Sequence, residues 1–267
     1  MSMIEVEIDD KKIHEYASGI TAGDILQNVY GKKSGAIAAK INGEQKDMSF
    51  VVNENCKIEP ILGDSEEGLY ILRHSCAHLL AQAVVEIFPG AKPTIGPPIE
   101  HGFYYDFHMN PIGDSDLKII EKRMNQLVRE NIKIKREEFE NNELREMFQN
   151  NKFKIEILDE KIGDEVGSTA YRQGDFIDLC RGPHVPSTSH LRWFKLTSTS
   201  QAYWRADSNR EPLTRIYGMC YATKEGLKER QRQIEEASKR DHKKIGKEME
   251  LYMINEMIGK GLPVWLP

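Results

Sequence analysis

The stretch that decides the fold is residues 69–88, LYILRHSCAHLLAQAVVEIF. Its apolar side chains recur at helical spacing and form one stripe, made of Leu72, Cys76, Leu79, Ala83 and Ile87. Pro89-Gly90 ends this pattern. The spacing therefore predicts an amphipathic helix over these residues, packed on the rest of the fold by that stripe.

Two histidines share another face of the predicted helix. His74 and His78 are four positions apart, which places them within about 40° of each other around the helix axis. Measured from Leu72, both project roughly 120–160° away from the apolar stripe. A single helical histidine is most often structural, whereas two on one face opposite the core favour a functional cleft.

Residues 3–62 carry the pattern of a small mixed α/β unit. Ile4, Val6 and Ile8 alternate with glutamates, as in a half-buried strand. Asp9-Asp10-Lys11 predicts a hairpin turn into a second strand.

One short helix and a second hairpin complete this unit. Thr21 and Asp24 resemble a helix start, and Gly31 resembles a helix stop. Asn42-Gly43 predicts a two-residue hairpin turn, because type I′ geometry needs positive φ at both positions. The ββαββ order predicts a β-grasp, ubiquitin-like domain over residues 1–63.

The sequence after residue 62 predicts a linker, a second domain, a linking helix and the start of another domain. Polar residues 63–68 indicate a linker, and residues 64–224 an α+β domain with a second amphipathic helix from about Asp114. Residues 225–250 are dense in charge and predict a linking helix. Residues 251–267 resemble the start of another, truncated domain. The expected fold class is α+β.

The composition excludes several protein classes. The 267 residues are 39% apolar and 30% charged, as in a folded two-domain protein. No run of about 18 apolar residues is present, so no membrane span is expected. Residues 1–10 have neither a basic n-region nor an apolar h-region, so secretion is not expected. The cysteines have no close pair and indicate a reducing cytoplasm; they are Cys56, Cys76, Cys180 and Cys220.

The net charge of −5 gives no global sign of nucleic-acid binding. Residues 181–215 nevertheless hold six Arg or Lys and two acids, with Trp193, Tyr203 and Trp204 among them. Such a patch can contact nucleic acid. A solvated face with buried aromatics explains the same composition, and composition alone favours that interpretation.

A second polar segment accompanies the histidine pair. It is residues 175–184, DFIDLCRGPH. Cys180 and His184 are four positions apart, but Gly182-Pro183 between them forbids a regular helix and predicts a turn. Together with the histidines of the helix, the segment offers three imidazoles, one thiol and the carboxylate of Asp178.

Three kinds of chemistry fit this set. Histidine and cysteine are zinc ligands, although four protein ligands would leave no position for a reactive water. A Cys180 thiol activated by His184 could act as a nucleophile. An imidazole oriented by Asp178 could instead deprotonate a water molecule. The spacing does not choose among these.

These segments resemble a known family. Residues 73–80, RHSCAHLL, and 178–186, DLCRGPHVP, are similar to the paired segments of the editing domain of threonyl-tRNA synthetases. Alanyl-tRNA synthetase editing domains share a similar pairing. Residues 102–106, GFYYD, 202–208, AYWRADS, and 240–247, RDHKKIGK, resemble the threonyl family in the same order. Position 206, here Ala, is more often Gly in that family.

The resemblance covers the whole chain and implies its function. Residues 3–62 correspond to the family's TGS domain, a β-grasp unit. The implied activity is hydrolysis of serine mistakenly esterified to the 3′-terminal adenosine of tRNA(Thr). A missing methyl changes binding by only about 1–3 kcal/mol, so a second, hydrolytic site is needed.

The resemblance also implies residue roles. His74, His78, Cys180 and His184 would hold the ester and its water, and Asp178 would bind the substrate amino group or orient a histidine.

Three further residues take roles from the resemblance. Lys154 matches a lysine near the ester, although the sequence alone favours a solvated charge on a strand. Tyr104 matches a residue near the adenosine, although a core aromatic is the simpler interpretation. Arg181 pairs either with phosphate or with a carboxylate.

Partners and cofactors follow from the same family. The expected partner is the acceptor end of tRNA(Thr), with serine as the mischarged amino acid, and a homodimer is expected only for the full-length enzyme. Zinc at the editing site is possible, while ATP, Mg and a second Zn belong to a catalytic core that would follow, so we expect no adenylate formation. The alternatives are a non-catalytic tRNA-binding appendage and a zinc-dependent deacylase of the alanyl type.

Overall fold

The computed structural model describes residues 2–8, 12–31, 34–160, 168–240, 245–246, 248–254 and 263–265. The chain divides into two compact units, Met1–Thr223 and Lys224–Pro267. The turn predicted at Asp9-Asp10-Lys11 and residues 241–244 and 247 of the family-like segment 240–247 lie outside the described residues.

The first unit begins with a five-stranded sheet and one helix. Their elements are β1 (Met3–Ile8), β2 (Lys12–Ala17), β3 (Ile20–Thr21), α1 (Ala22–Tyr30), β4 (Ala36–Ile41), β5 (Glu44–Lys46), β6 (Val51–Val52) and β7 (Cys56–Leu62). The sheet order is β2-β1-β7-β4-β5, with β1 and β7 parallel, and β3 pairs separately with β6. Val6, Ile25 and Ile58 are buried between the sheet and the helix.

Local sequence explains two features of this sheet. The Thr21 hydroxyl accepts a hydrogen bond from the Asp24 N–H at 3.1 Å and caps α1, which ends at Gly31 with φ of 78°. Asn42 and Gly43 adopt φ of 49° and 86° and join β4 to β5. The predicted helix and hairpin are confirmed, and the β-grasp assignment stays a prediction.

The described residues in the rest of the first unit form four α-helices and two more sheets. Its elements are α2 (Glu66–Ile87), β8 (Lys92–Pro93), β9 (Pro98–Ile99), β10 (Gly102–His108), α3 (Asp114–Glu130), β11 (Ile134–Phe139), α4 (Asn141–Phe148), α5 (Lys152–Glu160), β12 (Ser168–Gln173), β13 (Phe176–Leu179), β14 (Trp193–Tyr203) and β15 (Pro212–Tyr221). One sheet has the order β14-β15-β10-β8, with β9 also on β10, and the other has the order β11-β12-β13. The predicted α+β class is confirmed.

Helix α2 is longer and more deeply buried than the sequence predicts. The Ser65 hydroxyl accepts from the Gly68 N–H at 3.0 Å, so the helix starts at Glu66, inside the predicted linker. Residues 75–84 are all buried, because α2 contacts α3, β10, β15 and β7. The helix is therefore packed on more than one side, and of the two histidines His78 is buried while His74 is partly exposed.

The segment after α3 also differs from the prediction. Residues 153–155 were expected in a strand and lie in α5, where Phe153 and Leu158 are buried. The prediction was wrong because a short apolar run has no distinctive period, and packing decides the outcome.

The second unit contains α6 (Lys224–Lys239) and a strand pair, β16 (Tyr252–Ile254) with β17 (Pro263–Trp265). Helix α6 ends well before the predicted end near residue 250, and Arg240 is in a turn. All four cysteines of the chain carry free thiols. Within the part of the chain that is described, no helix has both the length and the apolar character that a membrane crossing requires.

Replacing Gly68 should uncouple the start of α2 from β7. A Cβ at Gly68 would lie 1.8 Å from the Leu62 carbonyl oxygen, so Gly68→Ala must push the helix away. We expect a loss of about 1–3 kcal/mol in the free energy of unfolding, measured by urea denaturation. Gly90→Ala is the control, because a Cβ there meets nothing within 4 Å. Equal urea midpoints for Gly68→Ala and Gly90→Ala would contradict the close approach of Gly68 to the Leu62 carbonyl oxygen.

Candidate active site

Two distant segments meet in one cluster. Helix α2 supplies His74 and His78, and the turn after β13 supplies Cys180 and His184. One nitrogen or sulfur atom from each of the four lies within 4.8 Å of the others. The Cys180 Sγ is 3.2 Å from His74 Nε2 and 3.2 Å from His184 Nε2. These four residues could therefore hold a metal ion.

The turn that carries Cys180 depends on a glycine. Gly182 has φ of 75°, and a Cβ there would lie 1.8 Å from the Tyr171 hydroxyl oxygen. The Gly182 N–H donates to the Cys180 Sγ at 3.3 Å. The turn therefore brings its backbone against Tyr171 and directs the thiol toward the histidines.

His184 is held from both ends. Its Nδ1 is 3.0 Å from the Ser75 hydroxyl, which also accepts from the Val185 N–H at 3.1 Å. Its own backbone N–H donates to Asp47 Oδ1 at 2.8 Å. With the ring proton on Nδ1, His184 donates to Ser75 and keeps a lone pair on Nε2, toward Cys180.

The three imidazoles are neutral at physiological pH. Burial lowers the pKa of His74 to about 3, with a further contribution from His78. Burial also lowers the pKa of His78 to about 4, although the Asp178 carboxylate opposes this effect. The pKa of His184 lies well below its ordinary value because of burial and the other two rings. Each ring therefore offers a lone pair as a base or as a ligand.

The thiol in the cluster is a poor nucleophile. Burial raises the pKa of Cys180 to about 12, with Asp178 acting in the same direction and the Gly182 N–H opposing it. The thiolate is the nucleophilic form of cysteine, and it is scarce at neutral pH under these conditions. A water molecule, with a neutral imidazole to take its proton, is the other available nucleophile.

A buried charged pair forms one wall of the site. Asp178 and Lys154 are 1% and 2% exposed, and the Lys154 ammonium pairs with Asp178 Oδ1. The Tyr105 hydroxyl donates to Asp178 Oδ2 at 2.5 Å. Burial would raise the pKa of Asp178, but the Lys154 charge and the hydrogen bonds from Lys154 and Tyr105 outweigh it and hold this pKa below its ordinary value. The interpretation of Lys154 as a solvated strand charge was therefore wrong.

Among the described residues, no histidine forms a hydrogen bond with Asp178. His78 Nε2 lies 4.0 Å from Asp178 Oδ2, beyond hydrogen-bond distance. The carboxylate therefore influences the imidazole through its charge, and its hydrogen bond from Tyr105 fixes its position.

The cluster opens into a cavity of about 520 Å³. Its lining includes His74, His78, Cys180 and the Asp178–Lys154 pair, and it is completed by residues that include 94–98, Tyr105 and Ile157. A Cβ at Gly96 would lie 2.1 Å from the Tyr105 ring, so the ring can pack on this part of the backbone only because residue 96 has no side chain. A larger groove of about 1140 Å³ lies near residues 87–91 and 199–214 and contains none of the cluster residues.

The two remaining predicted residues lie apart from the reactive atoms. Arg181 is exposed at the rim of the cavity. Tyr104 does not line the cavity, because neighbouring residues of β10 face opposite sides of the sheet. Its ring lies 3.9 Å from the Arg215 guanidinium. The sequence prediction missed its neighbour Tyr105, within the same aromatic run.

Ser75 and Asp47 were missed as well. Ser75 lies between the two histidines in sequence, so its position beside them was the available signal. Asp47 had none, because its contact with His184 spans 137 residues of sequence.

Residues 169–217 match the family profile described as the threonyl and alanyl tRNA synthetase second additional domain. The match contains Asp178, Cys180 and His184.

Curated relatives extend the similarity to the whole chain. A threonine–tRNA ligase of Streptococcus thermophilus is 44% identical over 270 residues, which cover 99% of this chain and 41% of the relative. A threonine–tRNA ligase of Staphylococcus aureus is 44% identical over 269 residues, which cover 100% of this chain and 42% of the relative. The chain therefore spans about two fifths of the length of these relatives, and the shared region includes the α2 histidines.

Removing the Lys154 charge should strongly destabilise the first unit. Lys154→Met leaves the buried Asp178 carboxylate without its cation, and breaking a buried pair costs about 3–5 kcal/mol. Urea denaturation measures the loss, and Asp178→Asn added to Lys154→Met should recover part of it.

Lys152→Met provides the matched control on the same helix. Lys152 is exposed and pairs with Glu211 at the surface, so its removal should leave the unfolding midpoint nearly unchanged. Similar losses for the two lysine variants would contradict the buried pair.

Proposed function

We propose that this region hydrolyses mischarged aminoacyl-tRNA, with the seryl ester of tRNA(Thr) as its substrate. The observation that carries the proposal is the meeting of His74, His78, Cys180 and His184 in one cluster, of which the first three line a cavity together with an ionised Asp178. Support for the tRNA substrate comes from the similarity to threonine–tRNA ligases and to the additional domain of the threonyl and alanyl enzymes.

The cavity suits a small esterified amino acid, whose positive charge is on its α-ammonium group. Asp178 supplies a negative charge for the α-ammonium group of the ester, beside its partner Lys154. Gly96 and Tyr105 pack directly on each other in the lining of the cavity. A pocket that excludes the additional methyl of threonine would act as a second sieve for serine.

A neutral imidazole is the base in the proposed reaction. It takes a proton from a water molecule as the water oxygen bonds to the ester carbonyl carbon. The bond between that carbon and the ribose oxygen then breaks, and the ribose oxygen receives the proton. The products are free serine and uncharged tRNA. The Cys180 thiol stays protonated in this scheme and contacts two of the rings.

Zinc-dependent hydrolysis of the same ester is the second candidate function. Three neutral imidazoles and one sulfur with donor atoms this close fit a zinc ion, held by His74, His78, Cys180 and His184. Bound zinc would lower the pKa of an attached water. A site with four protein ligands is closed, so hydrolysis by this route requires one of the four to stand off.

The binding-only alternative has weaker support. The basic side chains of residues 181–215 are largely engaged in ion pairs, among them Arg205 with Glu160, Arg210 with Glu156 and Arg215 with Asp106. Trp204 is buried. These contacts fit the interpretation of a folded surface with buried aromatics rather than an open nucleic-acid patch.

Seryl-tRNA(Thr) should lose its serine faster in the presence of this chain, and threonyl-tRNA(Thr) should not. His74→Ala should slow the reaction by about 10²–10⁴-fold if that imidazole serves as the base. Release of labelled serine measures the rate. His101→Ala is the control, because His101 is exposed and does not line the cavity. Wild-type rates equal to the spontaneous rate would leave only the binding role.

Chelation separates the water-base route from the zinc route. After dialysis against a chelator, we expect deacylation to continue at its full rate, because a neutral imidazole alone can take the proton. Elemental analysis of the dialysed protein confirms that metal has been removed. A loss of activity that Zn²⁺ restores would establish the zinc route instead.

A further inference from the structure

We propose that Asp47, in the N-terminal sheet region, is a positioning residue of the deacylation site. Asp47 follows β5 and lies far in sequence from both segments of the cluster. The inference rests on the proposed function. It assigns residues 1–63 a part in the reaction that neither the similarity nor the sequence pattern supplies.

The Asp47 carboxylate binds two groups of the site at once. Its Oδ1 accepts from the His184 N–H at 2.8 Å, and its Oδ2 accepts from the Tyr171 hydroxyl at 2.6 Å. Hydrogen bonds to a carboxylate are stronger than those between neutral groups. A single side chain therefore ties the N-terminal sheet region to both the Cys180–His184 turn and β12.

Both contacts bear on the position of one imidazole. The Tyr171 ring packs edge-on against the His184 ring, with centroids 4.4 Å apart. The Tyr171 hydroxyl also closes against Gly182 in the same turn. Asp47 thus fixes the His184 backbone directly and its ring through Tyr171, while Ser75 holds Nδ1 from the other side.

This arrangement makes Asp47 different from an ordinary contact between domains. Small displacements of a catalytic group can cost up to about a hundredfold in rate. Without the carboxylate, the His184 N–H and the Tyr171 hydroxyl lose their common acceptor, and the turn is free to shift. The expected defect is in the chemical step, with substrate binding preserved.

The test is steady-state deacylation of seryl-tRNA(Thr) by the 267-residue chain. Asp47→Ala should lower kcat by about ten- to a hundredfold with KM changed less than about twofold. Asp47→Asn should recover most of kcat, because its carbonyl oxygen still accepts from the His184 N–H and its amide can donate to Tyr171.

Asp24→Ala is the matched control. Asp24 lies in the same sheet region and interacts with Thr21 at the start of α1, so its loss weakens that region without touching His184. Its kcat should equal that of wild type. A kcat for Asp47→Ala within twofold of this control would overturn the inference.

Two further measurements keep the test decisive. Tyr171→Phe keeps the ring and removes the hydrogen bond to Asp47, so it tests the same contact if Asp47→Ala fails to fold. The kcat of Tyr171→Phe should fall several-fold. A wild-type kcat for this variant would overturn the inference. Hydrogen exchange at the His184 amide should accelerate in Asp47→Ala and stay slow in Asp24→Ala. A wild-type chain inactive on seryl-tRNA(Thr) would end the proposed function, and the exchange experiment would still test the contact.

Discussion

The burial of α2 along residues 75–84 is the constraint on which the other features depend. A helix enclosed by α3, by the sheet of β10 and β15 and by the N-terminal sheet needs hydrogen-bond partners for the polar groups that it carries inward. Ser75 does so through His184 and Val185, and Gln82 through Gln173. The same packing that stabilises the helix therefore sets the directions of the groups that line the cavity.

The site has a part made of neutral groups and a part made of an ion pair. Three imidazoles and a thiol are kept neutral because burial penalises their charged forms. The Lys154–Asp178 pair places its two opposite charges on the adjoining wall, where each makes the other tolerable. The proposed hydrolysis relies on a neutral base beside this buried ion pair.

Helical and turn patterns in the sequence predicted much of this. The spacing of His74 and His78 and the Gly182-Pro183 turn follow from local rules, and so do the Thr21 cap and the Asn42-Gly43 hairpin. The long-range packing could not be predicted from the sequence. Helix α5 has no clear period, and Lys154 becomes a buried partner of Asp178 only after the chain folds. Tyr105 and Tyr104 are indistinguishable in sequence, because only the register of β10 decides which ring faces the cavity.

The donor set has a consequence for handling the protein. Neutral imidazole nitrogens and a sulfur that converge this closely have a high intrinsic affinity for soft and borderline cations, including Ni²⁺, Cu²⁺ and Cd²⁺. Such an ion, acquired from a nickel affinity column or a trace contaminant, would occupy the lone pairs that water activation needs. Such an ion would inhibit the site reversibly. Purification without an immobilised-metal affinity column would avoid this inhibition.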